Sequence, residues 1–294
     1  MRGWLPDFTV HVARDTVDAL ARLGDGWLPL AGGTDIMVVL AAGQLKPARY
    51  VSIWGLSAAL RPIEVRDHEI AIGGLATYTD IAEHPVLTHE LPMLGLAARV
   101  SGAAAIQNRG TIGGNVANAS PAADTPPALF AYGASIELVG PAGRRRVPYA
   151  DFHTGYKTTL RDPGELVVAV VIPRPVPGRA PIQLYRKVGT RKAQAIAKVG
   201  LAVTMEMDGD TVAGCALGMS SVAPVPLACL RTAAALCGRP LRDGIDDAVR
   251  ALAAEIHPID DVRSTGEYRR KVAENLWRDV LESTLAGRSP VAAV

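Results

Sequence analysis

The chain has 294 residues, with 31 Lys+Arg against 29 Asp+Glu and a formal net charge of +2. Hydrophobic residues make up 49% and charged residues 20%, which excludes a chain too polar to build a core. The balanced charge and the 5% aromatic content exclude a nucleic-acid partner, which needs a basic excess or a stacking platform.

Residues 1–56 read as a small α/β unit. A strand at 8–12 leads to a helix capped by Asp15, with Val17, Leu20 and Leu23 as its apolar stripe and Gly24 at its end. A strand at 27–30, a helix at 36–42 closed by Gly43 and a strand at 49–53 follow. Residues 57–175 form a second unit. It opens with a hairpin over 64–73 that turns at Arg66-Asp67-His68, and continues with helices near 77–84 and 92–101. The stretch 107–115 is too rich in glycine and asparagine for a regular element. Asp124 is placed to cap a helix running to Tyr132, with Pro126 and Pro127 in its first turn. A hairpin of 135–139 with 145–149, its tip solvated through Arg144-Arg145-Arg146, and an apolar strand at 165–172 complete this unit.

Residues 173–178, rich in proline, read as a linker to a third unit over 179–288. Strands at 182–188, 196–207 and 211–221 are expected there, the last two joined by the turn Asp208-Gly209-Asp210. Three helices near 225–237, 243–255 and 264–286 close the chain, and the tail 289–294 reads as frayed. Asp260 and Asp261 precede the last helix and read as caps rather than as an acid–base pair.

No run approaches the ~18 consecutive apolar residues of a membrane helix. The N-terminal stretch MRGWLPDFTV lacks the apolar core of a secretory signal, so a cytoplasmic protein without a transmembrane segment is expected. Cys215, Cys229 and Cys237 show no Cys-x-x-Cys spacing and read as buried small hydrophobes. The six histidines contain no H-x-x-x-H or H-E-x-x-H pair, so no resident metal is expected. No Ser/His/Asp or Cys/His constellation is legible, and no catalytic residue is assigned.

The chemistry lies in two glycine segments roughly 80 positions apart. In Ala31-Gly32-Gly33-Thr34-Asp35, between a strand and a helix, the absence of Cβ lets backbone N–H groups converge on one point, a nest suited to phosphate oxygens. Thr111, Gly113, Gly114 and Asn115 repeat a hydroxyl, a glycine pair and an amide, and Asn118, Ser120 and Asp124 follow. Neither segment matches G-x-G-x-x-G or carries G-K-[ST], so a Rossmann site and a P-loop are not indicated. By spacing alone each segment is compatible with an ordinary turn or with one half of a diphosphate grip.

The combination is more specific. AGGTD at 31–35, TIGGNVANASPAADTPPAL at 111–129, RKVGTRKAQAIAKVGLA at 186–202 and DDVRSTGEYRRKVAENL at 260–276 resemble the FAD-binding medium subunits of the molybdenum hydroxylases, the xanthine, aldehyde and carbon-monoxide dehydrogenase group. The resemblance covers nearly the whole chain, with its motifs in the same order. It implies an α+β protein. Two α/β FAD-binding subdomains of the vanillyl-alcohol-oxidase (PCMH) type, at 1–56 and 57–175, would precede a C-terminal domain of three-stranded antiparallel sheet and helical bundle.

The resemblance also implies roles. Leu28, Pro29, Leu30, Ala31, Gly32, Gly33, Thr34 and Asp35 would line the diphosphate of FAD. Thr111, Ile112, Gly113, Gly114 and Asn115 would bind from the other side, and Asp124 would hydrogen-bond the polar chain of the cofactor. Lys187 would stand near the flavin ring, where its charge favours an anionic reduced flavin, and Tyr185 would shield a ring face. No cysteine lies between Thr111 and Glu165, so the iron–sulfur loop inserted in the 4-hydroxybenzoyl-CoA reductase branch is not expected. The implied function is electron transfer. Two-iron two-sulfur clusters on a small partner subunit would be filled by a large molybdenum-cofactor subunit, in a dimer of heterotrimers, and FAD would pass the electrons to NAD or another acceptor. A self-sufficient FAD oxidoreductase on the same fold and a flavin-free scaffold subunit are the alternatives.

Overall fold

The computed structural model describes residues 7–191 and 194–287; the tail at 289–294, read as frayed, lies outside them. The first unit follows the sequence closely. Strand β1 (Phe8–Val12) leads to Asp15, which accepts the Asp18 N–H at 2.8 Å and starts helix α1 (Thr16–Gly24). Strand β2 (Leu28–Leu30), helix α2 (Thr34–Ala41) and strand β3 (Ala48–Ser52) follow. The three strands pair in parallel in the order β1-β3-β2, and α1 buries Ala19 and Leu23 in one cluster with Val51 and Ile53. Parallel pairing places the glycine turn after β2 at the carboxyl edge of the sheet, where open α/β sheets bind ligands.

A 3₁₀ turn (Trp54–Leu56) and helix α3 (Ser57–Leu60) cross to the second unit. Strands β4 (Ile63–Val65) and β5 (Glu69–Gly73) form the expected hairpin. Helix α4 (Tyr78–Glu83) starts with a reciprocal Thr77–Asp80 capping box, and α5 (Pro85–Glu90), α6 (Pro92–Val100), α7 (Ala104–Gln107), α8 (Ile112–Asn118) and α9 (Pro126–Ala131) follow. Strands β6 (Ser135–Gly140) and β7 (Gly143–Pro148), helix α10 (Tyr149–Phe152), the small pair β8 (His153–Gly155) and β9 (Thr158–Thr159), and strand β10 (Leu166–Pro173) complete it. The sheet is antiparallel in the order β4-β5-β10-β6-β7. Its central strand β10 is buried from Leu166 through Ile172, as its unbroken apolar run requires.

The structure corrects three expectations for this unit. Residues 107–115 are not irregular throughout: Gln107 ends α7, and Ile112 through Asn115 are the first turn of α8. Gly113 is tolerated in that helix because it packs on the backbone of Gly74, whose oxygen would lie 2.6 Å from any Cβ added there. Asp124 does not cap α9; Thr125 holds the cap position, without a side-chain cap bond, and the Asp124 carboxylate turns to Lys187 instead. The arginine triplet is not a free tip. Arg144 and Arg146 both reach Glu137, Arg146 also reaches Glu69, and Arg145 forks onto Glu165. The hairpin lays these side chains across neighbouring strands, where buried glutamates need partners.

The third unit has β11 (Ile182–Val188), β12 (Val199–Asp208) and β13 (Thr211–Ser220) as three long antiparallel strands, with β14 (Leu227–Ala228) beside β13. Helices α11 (Leu230–Ala234), α12 (Leu241–Glu255) and α13 (Gly266–Leu285) cover the sheet around the fully buried Trp277. The helix expected from 225 begins only at Leu230, because Pro224 and Pro226 oppose a helix and Leu227–Ala228 pair with β13. Of the cysteines only Cys229 is buried; Cys215 is half-buried on β13 and Cys237 is exposed after α11. The α+β architecture agrees with the resemblance. Tyr185 and Ala202 of the third unit belong to the same core as the helices of the second, so the two share a continuous interior. No helix among the described residues is long and apolar enough to cross a membrane.

Candidate functional site

Gly33 takes the left-handed conformation, φ 77° and ψ 2°, and holds the cap position of α2 with no side-chain bond to the first turn. The leading N–H groups of α2 therefore have neither an intrahelical acceptor nor a capping side chain. Gly32 brings the first unit close against the second. A Cβ there would stand 1.8 Å from the Arg109 carbonyl oxygen, so only glycine lets the turn lie against the chain before α8.

The second wall comes from α8. The Thr111 hydroxyl accepts the Gly114 N–H at 3.1 Å and starts the helix. Asn115 Oδ1 accepts the Thr125 hydroxyl at 2.5 Å. Asn118 Nδ2 donates to Asp35 Oδ1 at 3.1 Å and closes one end between the two walls. Together they enclose a cleft of about 560 Å³ whose lining includes Gly33, Thr34, Gly114, Ser120, Asp124 and Ile196. That volume lies within the ~300–1,000 Å³ common for cofactor sites.

Asp124 is a buried charged group of the cleft. Its Oδ2 accepts Lys187 Nζ at 2.8 Å and the Ser101 hydroxyl at 3.4 Å, while Lys187 also donates to the Val100 carbonyl at 3.0 Å. Oδ1 is buried without a partner. Burial pushes the Asp124 carboxyl up to about 6, against the opposing pull of the Lys187 ammonium. An unpaired buried acceptor beside a cleft is a place for a donor from a ligand, and an uncapped helix start is a place for phosphate oxygens.

Residues 7–175 match the family described as "FAD binding domain in molybdopterin dehydrogenase", and residues 184–284 match "CO dehydrogenase flavoprotein C-terminal domain". This chain belongs to the molybdopterin dehydrogenase FAD-binding family. The carbon monoxide dehydrogenase medium chain of Afipia carboxidovorans is 31% identical over 95% of this chain and 97% of its own length. The glyceraldehyde dehydrogenase medium chain of Sulfolobus acidocaldarius is 30% identical over 92% of this chain and 96% of its own. Among solved structures, a chain of the carbon monoxide dehydrogenase from Hydrogenophaga pseudoflava superposes with a TM-score of 0.91 at 28% identity. It covers 97% of this chain and 99% of its own. The chain is thus an FAD-binding oxidoreductase subunit. The donor set fits that cofactor: the open start of α2 offers N–H groups to a diphosphate, and Asp124 Oδ1 offers an acceptor to a sugar-alcohol hydroxyl.

The structure brings most of the anticipated residues into one place. Pro29 through Asp35, Thr111, Gly113, Gly114, Asn115 and Asp124 line the cleft. Leu28 and Ile112 do not; Leu28 is exposed on β2, and Ile112 is fully buried. Lys187 reaches the cleft only through Asp124. Tyr185 is fully buried in the core beneath the cleft and donates its hydroxyl to the Asp124 carbonyl at 3.1 Å. It is not among the residues that line the cleft. Sequence reasoning assigned nothing to Tyr78, Ser101 or Ile196, which also line the cleft. No local pattern marks Tyr78 or Ser101, and although Ile196 falls inside the motif at 186–202, only the fold shows that it reaches the site.

Proposed function

We propose that this chain is the electron-relay subunit of a three-component dehydrogenase. Iron–sulfur clusters on a small subunit deliver electrons from a molybdenum-cofactor subunit, and this chain passes them to NAD or another acceptor. The observation that carries the reading is the Asp124 carboxyl, half-satisfied and buried where both glycine segments converge. When bound, FAD supplies the exchange between single-electron and two-electron transfer.

In this reading Gly32 through Asp35 and Thr111 through Asn115 hold the diphosphate between them, and Asp124 holds a hydroxyl of the polar chain. Lys187 sets a positive charge against Asp124 and offsets the negative charge of that carboxylate, and beside a flavin it would favour the anionic reduced form. Ile196, 50% exposed, walls the cleft from the third unit and excludes water there. Among the described residues no histidine or cysteine lines the cleft to activate a substrate of its own, which favours the relay over a self-sufficient oxidase. Phe8, Val10, Met37, Val38 and Ile106 also stay exposed around α2, an apolar face of the kind that a partner subunit covers.

The test is expression of the chain alone and together with its partner subunits. The isolated chain should purify yellow with bound FAD and fail to oxidise purines, aldehydes or carbon monoxide. In the complex, substrate should reduce the flavin. Substrate-driven reduction in the isolated chain would overturn the relay reading.

A further inference from the structure

The stretch 260–276 carries a side chain to which the electron relay gives no role. Arg269, in the first turns of α13, is only 3% exposed and does not line the cleft. Its Nη1 donates to the Lys198 carbonyl at 2.8 Å and to the Ser221 carbonyl at 3.2 Å, and its Nη2 donates to Asp261 Oδ1 at 2.8 Å. Both carbonyls belong to segments that lead into the cleft. Lys198 lies two residues after Ile196, and Ser221 N–H donates to the Pro121 carbonyl at 2.8 Å, three residues before Asp124. The Ser221 hydroxyl, donating to the Ala197 carbonyl at 2.8 Å, ties the two segments directly. The Lys198 ammonium sits 5.0 Å from the ring centre of Tyr268, the neighbour of Arg269.

We propose that Arg269 is a positioning residue of the cleft. Its guanidinium fixes the backbones of 196–198 and 121–124 relative to each other, so that Ile196 and Asp124 face one ligand. The planar fork suits this role because it reaches two carbonyls and a carboxylate from one rigid group, whereas a lysine ammonium is a point donor that cannot span them. Asp261 neutralises the buried charge. Arg270 serves as an internal comparison. It donates to the carbonyls of Ala253 and Ile256 and ties α13 to the end of α12, and none of these residues lines the cleft. The identity of the ligand rests on the FAD reading; the clamp itself does not.

The experiment compares full-length Arg269→Lys, Asp261→Asn and Arg270→Met with the unaltered chain. Three quantities are measured: FAD affinity by fluorescence titration, the visible circular dichroism of the bound flavin, and amide exchange in flavin-free protein. Arg269→Lys should bind FAD about tenfold more weakly or worse, the scale of one lost charge-assisted hydrogen bond. It should also alter the flavin dichroism and speed exchange at Lys198 and Ser221. Asp261→Asn should move all three in the same direction by less. Arg270→Met should lower the melting temperature and leave the flavin measurements unchanged. A folded Arg269→Lys with unaltered affinity, dichroism and exchange overturns the proposal; if that variant does not fold, Asp261→Asn decides by the same criteria. Absence of FAD binding by the unaltered chain would sink the flavin reading instead, and the exchange measurement would still decide the clamp.

Discussion

Lys187 and Asp124 lie 63 residues apart in sequence, yet Nζ stands 2.8 Å from Oδ2, joining β11 of the third unit to the segment that enters α9 of the second. Both side chains are largely buried, at 7% and 13% exposure, so neither charge has water to fall back on. Tyr185, two positions before Lys187 on the same strand, supports the backbone carbonyl of the same aspartate. One edge of the C-terminal sheet therefore sets the position and the charge of Asp124, one of the acidic groups in the cleft.

Removing the cation should expose that dependence. Lys187→Met leaves a buried carboxylate unpaired and should cost about 3 kcal/mol at pH 8. The Asp124 carboxyl titrates at about 6 in the folded chain against an ordinary 3.8, so the folded state holds the extra proton between those values. Its ionisation penalty is present above pH 6 and relieved as the pH falls toward 4. The variant should thus lose less stability at pH 5 than at pH 8 in urea melts. An equal loss at both would show that the carboxyl is not under strain.

His153 has the opposite sign. Its Nε2 meets the Tyr149 hydroxyl at 2.9 Å, its Nδ1 is buried without a partner, and burial lowers its titration to about 4 from 6.5. The folded state resists protonation, so stability is lost as the pH falls from 6.5 toward 4. His153→Gln should flatten that limb of the pH–stability curve. A limb of unchanged steepness would assign the acid sensitivity elsewhere.

Adjacent glycines should fail differently. Gly33→Val forces a branched residue to φ 77°, at a cost of about 1–2 kcal/mol. Its Cβ has room, with Leu30 Cδ1 nearest at 3.7 Å, so the chain should fold and lose FAD. Gly32→Ala meets the Arg109 carbonyl and should lower both the melting temperature and FAD content. Flavin absorbance and a thermal melt on each variant separate the outcomes; full flavin content in Gly33→Val would remove the turn from the site.

The arginine triplet offers a gradient. Arg146 bridges Glu69 and Glu137, whereas Arg144 reaches only Glu137 and is 63% exposed. Arg146→Ala should destabilise by about 1–2 kcal/mol and Arg144→Ala by less than about 0.5 kcal/mol. Chemical denaturation checks the order. Equal effects would restore the solvated tip that the sequence alone suggested.

The amino-acid sequence by itself determined what depends on near neighbours. The α/β order of the first unit, the glycine turn after β2, the hairpin at Asp208-Gly209-Asp210 and the family all follow from patterns within short windows, because periodicity, caps and turns are local physics. Tertiary structure decided the rest. Gly113 and Gly114 sit in a helix because Thr111 caps it and the Gly74 backbone accepts a side-chain-free neighbour, a contact no propensity contains. The Asp124 carboxylate turned to Lys187 instead of capping α9, because burial leaves an acidic group no cheaper partner than a distant cation. Tyr78, Ser101 and Ile196 meet at the cleft from three segments with no shared spacing, and only the folded chain could bring them there.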